Sequence, residues 1–335
     1  MSYRAGIVGF RGYSGAELIK ILTRHTGFEP VLMEHRADAG AKPLPRGYKG
    51  PEQISSTAEA ARQAGLSAVL FATPPEVSME MAPDLLHAGI KVVDLSGAFR
   101  LGTADTYRQW YKEEHTAPQL LPQAVYGLTE FYAEKIKSAQ LLSNPGCYPT
   151  AANLAIAPLV KAALLDRSAG IICDAKSGVS GAGRKPSLKT SFCEVAENFS
   201  AYSILDHRHV PEVLMNSGLD ENEFSFTAQL IPIDRGILET IYFRGTEATT
   251  AESLIAAYET AYAGFESVRI YNPGQVPDVL SVSRTNYCDI GFKYDAKSRR
   301  GVIVSVIDNV GKGAAGQAVQ NLNLMFGFHH FEGLA

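Results

Sequence analysis

Apolar and polar positions set two different rhythms along the chain. Residues 3–9, apolar apart from Arg4, predict a buried strand, and residues 16–22 then place Leu18, Ile21 and Leu22 on one helical face. Between them lies a turn rich in glycine, residues 9–15. Residues 30–33, 66–72 and 90–97 read as further strands, and residues 77–88 as a helix. Strands alternating with helices predict a parallel, doubly wound sheet. A helix is expected over residues 151–165 and a strand over 170–175. From Phe224 the pattern turns to period two, with strands expected at 224–233, 237–244, 268–271, 279–292 and 302–307 and a helix at 251–262. That half predicts a mostly antiparallel sheet with one face left for solvent or a partner. The tail, 308–317, leads into a helix reaching about residue 326 whose apolar face is Val319, Leu322, Met325 and Phe326. This helix is expected to pack back on the first domain. The fold class expected is α/β: a doubly wound domain of residues 1–146 and 309–335, and an α+β domain of residues 147–308.

Composition narrows the class without choosing a function. The 335 residues are 46% hydrophobic and 20% charged, with net charge −4, which points away from nucleic acid and anionic membrane as partners. Cys147, Cys173, Cys193 and Cys288 are scattered, with no C-x-x-C pair, so a reduced cytoplasmic protein is expected. Neither a signal peptide nor a membrane-spanning apolar run is expected.

The chemistry concentrates in a few stretches. Residues 143–150, Ser-Asn-Pro-Gly-Cys-Tyr-Pro-Thr, place Cys147 near the start of a helix, where the positive end of the helix favours a thiolate nucleophile. The turn Gly9-Phe10-Arg11-Gly12-Tyr13-Ser14-Gly15 has the strand–turn–helix context of a dinucleotide site, although its spacing is G-x-x-G-x-x-G. After the second strand come both an acid, Glu34, which would suit NAD, and Arg36, which would suit the 2′-phosphate of NADP; Arg36 tips the reading towards NADP. Thr73-Pro74 and residues 94–100 fall at carboxyl ends of strands, where ligands bind in such sheets, which makes Arg100 a candidate anion contact. Residues 176–185 form a second glycine- and serine-rich loop, with Arg184 and Lys185 attached, suited to an anion such as phosphate. His207 and His209 are candidate acid/base groups; no third ligand cluster supports a metal.

Residues 9–15, 93–100, 125–128, 143–150, 177–184, 207–212 and 308–317 resemble the N-acetyl-gamma-glutamyl-phosphate reductases, in the same order and over nearly the whole chain. The resemblance implies a Rossmann domain and a dimerisation-type α+β domain, NADP as cofactor, an acyl phosphate as substrate and a homodimer or homotetramer. It implies Cys147 as nucleophile and His207 as acid/base. The expected cofactor contacts are Gly9, Arg11, Gly12, Tyr13, Ser14, Gly15, Arg36, Thr73, Pro74, Ser96, Ser177, Gly178 and Asn309. The expected substrate contacts are Arg100, Asn144, Ser180, Gly181, Arg184 and His209. A related reductase of aspartyl phosphate or of a carrier-bound aminoadipyl phosphate, or a non-catalytic NADP-binding protein, is the competing reading.

Overall fold

The computed structural model describes residues 2–35 and 50–334, so Arg36 lies outside the described residues. The chain divides into two compact units. The first holds Met1–Tyr107, Glu113–Asn144 and Ala318–Leu334; the second holds Arg108–Lys112 and Pro145–Gln317.

In the first unit the order is β1 (Tyr3–Val8), α1 (Tyr13–Leu22), β2 (Phe28–Glu34), β3 (Gln53–Ser55), α2 (Ala58–Gln63), β4 (Leu66–Phe71), α3 (Pro75–His87), β5 (Lys91–Asp94), α4 (Ala104–Tyr111), β6 (Ala124–Tyr126), α5 (Thr129–Lys137) and β7 (Leu141–Ser143). Among the described residues the strands form one sheet in the order β3-β2-β1-β4-β5-β7-β6. Every pairing in it is parallel. Ala5, Ile7 and Val8 of β1, and Val69, Leu70 and Phe71 of β4, are fully buried. Helices covering both faces of a parallel sheet account for those unbroken apolar runs. The tail closes this unit: His25 Nε2 meets Asn323 Oδ1 at 2.8 Å, Thr129 Oγ1 donates to Asn321 Oδ1 at 2.7 Å, and the Phe326 ring lies 4.5 Å from Tyr3.

The second unit runs α6 (Cys147–Lys161), β8 (Ile171–Ser177), α7 (Phe192–Val195), β9 (Ser200–Tyr202), α8 (Val210–Ser217), β10 (Phe224–Leu230), β11 (Ile237–Arg244), α9 (Ala251–Tyr262), β12 (Val268–Ile270), β13 (Cys288–Asp295), β14 (Arg300–Ile307) and then the start of α10 (Gly316–Met325). Its sheet has the order β12-β13-β14-β11-β8-β10-β9 and is mostly antiparallel, with β8/β10 and β12/β13 parallel. A parallel pair needs a crossover. The crossover from β8 to β10 contains the loop after β8, α7, β9 and α8, and thereby positions both candidate histidines. Cys173, Ala175, Ile237, Ile241 and Phe243 are buried on one face, whereas Ile172 and Tyr242, paired across β8 and β11, are exposed on the other.

The strand expected at 279–292 is corrected. Residues Val279–Ser281 form a short 3₁₀ turn, and the strand begins at Cys288. Asp278 causes the difference, because its carboxylate accepts the Ser281 N–H at 3.0 Å and caps the turn. The other candidate strands shift only at their ends.

Candidate functional site

In the first unit a cavity of about 300 Å³ sits where β1, β2 and β4 end. Its wall includes Gly9, Arg11, Gly12, Glu34, His35, Thr73 and Pro74. Gly9 has φ of +80°, and a Cβ there would lie 2.3 Å from the Ala72 carbonyl oxygen; a Cβ on Gly15 would lie 2.3 Å from the Gly9 carbonyl oxygen. Side chains at either position would break the turn. Gly12 caps α1 with extended backbone and no side-chain hydrogen bond, which leaves the first-turn N–H groups for an anion. Among the described residues, Thr73 Oγ1 and His35 Nε2 are buried without a hydrogen-bond partner. Two orphaned polar atoms in a wall next to an open helix start fit a polar, phosphate-bearing ligand such as a dinucleotide. Arg11 donates to Glu34 at 2.7 Å, so this cation and this acid share the cavity wall.

Tyr13, Ser14 and Ser96, also expected cofactor contacts, stand outside the lining of this cavity. Tyr13 and Ser14 form the first turn of α1. Ser96 is buried at the end of β5, with its hydroxyl on Asp94 at 2.9 Å. Burial raises the Asp94 carboxyl above the usual range, against hydrogen bonds from Ser78 and Ser96 that pull it down. Arg100 is buried and donates to the carbonyl oxygens of Asn144, at 2.9 Å, and Leu95, at 2.8 Å. Asn144 Oδ1 accepts from Asn321 at 3.1 Å. These side chains brace the carboxyl ends of β5 and β7.

In the second unit a cavity of about 480 Å³ brings together Cys147, His207 and His209 with Ser177, Gly181, Tyr148, Tyr202, Lys189, Arg208 and Trp110. Cys147 is the first residue of α6, and Gly146 is its cap. The Gly146 N–H donates to Glu212 Oε2 at 2.9 Å, and Glu212 is fully buried on α8. Thr150 Oγ1 returns to the Gly146 carbonyl at 2.9 Å. From below, the five-residue turn Gly311–Ala315 packs so tightly that a Cβ on Gly313 would sit 2.9 Å from Cys147 Cβ. Asp308 organises that turn: its Oδ1 accepts from Val310 N at 2.9 Å and Gly311 N at 2.8 Å, and it pairs with Arg235 at 2.9 Å.

His207 and His209 form the turn into α8, and both are buried. The rings of Tyr148 and Phe226 lie 5.5 and 5.3 Å from His207. Desolvation in this box, helped by the adjacent Arg208 charge, lowers the His207 pKa to about 4. The ring is therefore neutral near pH 7. His207 Nδ1 accepts the His209 N–H at 3.2 Å, which leaves the proton on Nε2. Burial also raises the Tyr148 and Tyr202 hydroxyls, which meet at 3.0 Å.

The loop after β8 contributes unevenly. Ser177 and Gly181 line the cavity, but Ser180 Oγ donates to the Asp234 carbonyl at 2.6 Å and accepts from Asn309 Nδ2 at 3.0 Å. Asn309 Oδ1 accepts from Gly236 N at 2.7 Å, so Ser180 and Asn309 brace the loop. The Gly178 N–H is held by the Gly236 carbonyl at 2.9 Å. Arg184 is exposed and stands outside the lining, where Lys189 is the loop's cation. Sequence reasoning missed Glu212, Lys189, Arg208 and Trp110 as site residues. The capping geometry that would have singled out Glu212 joins two helices far apart in sequence.

The family model of the semialdehyde dehydrogenase NAD binding domain matches residues 4–139, and that of the semialdehyde dehydrogenase dimerisation domain matches residues 147–309. Curated relatives called N-acetyl-gamma-glutamyl-phosphate reductase match nearly end to end. The protein of Geobacillus sp. (strain WCH70) is 45% identical over 98% of this chain and 97% of its own. That of Symbiobacterium thermophilum is 44% identical over 100% and 98%. Among solved structures, aspartate semialdehyde dehydrogenase II of Vibrio cholerae superposes with a TM-score of 0.71 at 17% identity, covering 97% of this chain and 98% of its own, a likeness of fold. With its sequence matched over both modules and almost the full length of these relatives, the chain belongs to the N-acetyl-gamma-glutamyl-phosphate reductase family of semialdehyde dehydrogenases.

Proposed function

We propose that this chain reduces N-acetyl-L-glutamyl 5-phosphate to N-acetyl-L-glutamate 5-semialdehyde and phosphate, with NADPH as donor, in arginine biosynthesis. The observation that carries this reading is Cys147 at the start of α6, sharing one cavity with a neutral His207. Family membership supplies the substrate. The cavity of the first unit, with its open helix start and orphaned Thr73 Oγ1, is the proposed seat of the cofactor.

The Cys147 sulfur attacks the acyl carbon, the C–O bond to phosphate breaks, and a thioester forms on the enzyme. NADPH, when bound, supplies a hydride to the thioester carbon. The oxyanion left on the Cys147 thiohemiacetal receives a hydrogen bond from His207 Nε2–H. It then collapses, expelling the Cys147 thiolate and releasing the aldehyde. A neutral ring suits this role, since it donates without having to take up a proton first. Glu212 acts through the backbone: by fixing Gly146 N–H it fixes the direction in which Cys147 leaves the helix start. Ser177, Gly181 and Lys189 are the proposed surroundings of the phosphoryl group.

The chain is expected to be cytoplasmic; among the described residues no helix is long and apolar enough to cross a membrane. A homodimer or homotetramer is proposed, supported by the match to a dimerisation domain and by the exposed Ile172–Tyr242 pair on the uncovered sheet face.

The test runs the reaction backwards, from NADP, inorganic phosphate and N-acetylglutamate 5-semialdehyde, following NADPH absorbance. Phosphate-dependent NADPH formation is the expected result. Formation with aspartate semialdehyde but not with the acetylated substrate would move the substrate, and silence with both would sink the reading.

A further inference from the structure

Two cations line the Cys147 cavity among the described residues, Lys189 and Arg208, while His207 is neutral. The proposed substrate has two charged ends. Its phosphoryl group lies at the reacting carbon, and its carboxylate sits at the far end on a carbon that also bears the acetamide. A site for that far end must therefore offer a carboxylate partner and a flat amide partner side by side.

Residues 108–112 supply this combination together with Arg208. They belong to the second unit although the chain around them belongs to the first. Trp110, the single tryptophan of the chain, is half-buried in the cavity wall. Tyr111 next to it carries the Arg208 guanidinium over its ring, 5.8 Å from the centroid. Among the described residues no carboxylate forms an ion pair with Arg208, although Asp206 also lines the cavity. A guanidinium resting on an aromatic face keeps its fork of donors available and loses little freedom when a planar carboxylate docks bidentately. An indole face suits a planar amide. Lys189 is a compact charge on the loop that also brings Ser177 and Gly181, which fits the phosphoryl end.

We infer that Arg208 binds the substrate carboxylate, with Trp110 against the adjoining acetamide, and that this pair selects the N-acylated amino acid skeleton. The inference rests on the proposed function, whose failure would show in the unmodified enzyme as no phosphate-dependent activity. The test is Arg208→Met in the full-length chain, assayed in the reverse direction. The KM for N-acetylglutamate 5-semialdehyde should rise roughly ten- to hundredfold, the worth of a hydrogen bond to a charged group, with kcat within about threefold and the KM for phosphate steady. Arg208→Lys should recover part of the loss. In wild type, N-acetylglutamate used as a probe should change Trp110 fluorescence, and Arg208→Met should weaken that response in proportion to KM.

A rise in the phosphate KM instead would put Arg208 at the wrong end of the substrate and overturn the inference. So would an unchanged semialdehyde KM accompanied by a pH profile shifted upward, since Arg208 would then act only through its charge on His207. NADPH binding by the same variants reports folding. If Arg208→Met has lost it, the Arg208→Lys and Trp110→Phe variants decide by the same pair of KM values.

Discussion

Two helices of this protein begin on glycines of nearly the same shape and put that start to different uses. Gly12 before α1 has φ, ψ of −75°, 171°, and Gly146 before α6 has −66°, 154°; neither helix receives a side-chain bond from its own cap residue. At α1 the first-turn N–H groups border a cavity shaped by backbone, where glycines let strand ends and turn approach within van der Waals contact. At α6 the cap N–H is taken by Glu212 from another helix, and the first helical residue is the nucleophile itself. An anion brought from outside needs donors left open. A nucleophile built into the chain needs its direction fixed. The same local geometry serves both because the decisive difference lies in what approaches it.

The comparison breaks most sharply at Cys147. Cys147→Ser should reduce turnover by roughly 10³-fold or more, the usual consequence of removing a nucleophile, while NADPH binds within about twofold of wild type by fluorescence titration. Substantial reductase activity in this variant would remove the covalent mechanism and with it the contrast between the two helix starts.

The opposite break is Gly15→Ala. The new Cβ would lie 2.3 Å from the Gly9 carbonyl, so the turn must open. A local strain of about 1–3 kcal/mol is expected, weakening NADPH binding roughly ten- to hundredfold. Alkylation of Cys147 by iodoacetamide should keep its wild-type rate, because the α6 start is untouched. Unchanged NADPH affinity would show that the glycine turn does not hold the cofactor.

How much of this could be read along the chain follows the same division. The glycine turn, the alternation of strands and helices, and Cys147 at a helix start are local patterns, and each is legible in a few consecutive residues. The strand expected at 279–292 failed because Asp278 capped a turn inside an apolar stretch, a side-chain bond that periodicity does not register. Residues 176–185 offer Arg184 or Lys185 as the loop's cation, and the cavity lining includes Lys189, beyond that stretch. The DNVGKGAAGQ tail shows no local reason for its pattern. Its reason is three-dimensional: Asp308 ties the turn together, and Gly313 leaves room for Cys147. Glu212 was invisible because its partner, Gly146, lies 66 residues away.

The finest test of the comparison is therefore Glu212→Gln. The amide keeps the shape of the side chain and can still accept the Gly146 N–H, but the bond loses its ionic character. A charge-assisted bond exceeds a neutral one by about 1 kcal/mol, so kcat should fall roughly fivefold, with the KM for the semialdehyde unchanged. Because Glu212 acts by aiming Cys147, the rate of iodoacetamide alkylation should fall in step with kcat, and NADPH affinity should not move. A purely structural role would lower thermal stability and leave the alkylation rate of the folded protein intact. That result would mean α6 aims its nucleophile by packing against Gly313 alone, and the two helix starts would differ only in what they carry.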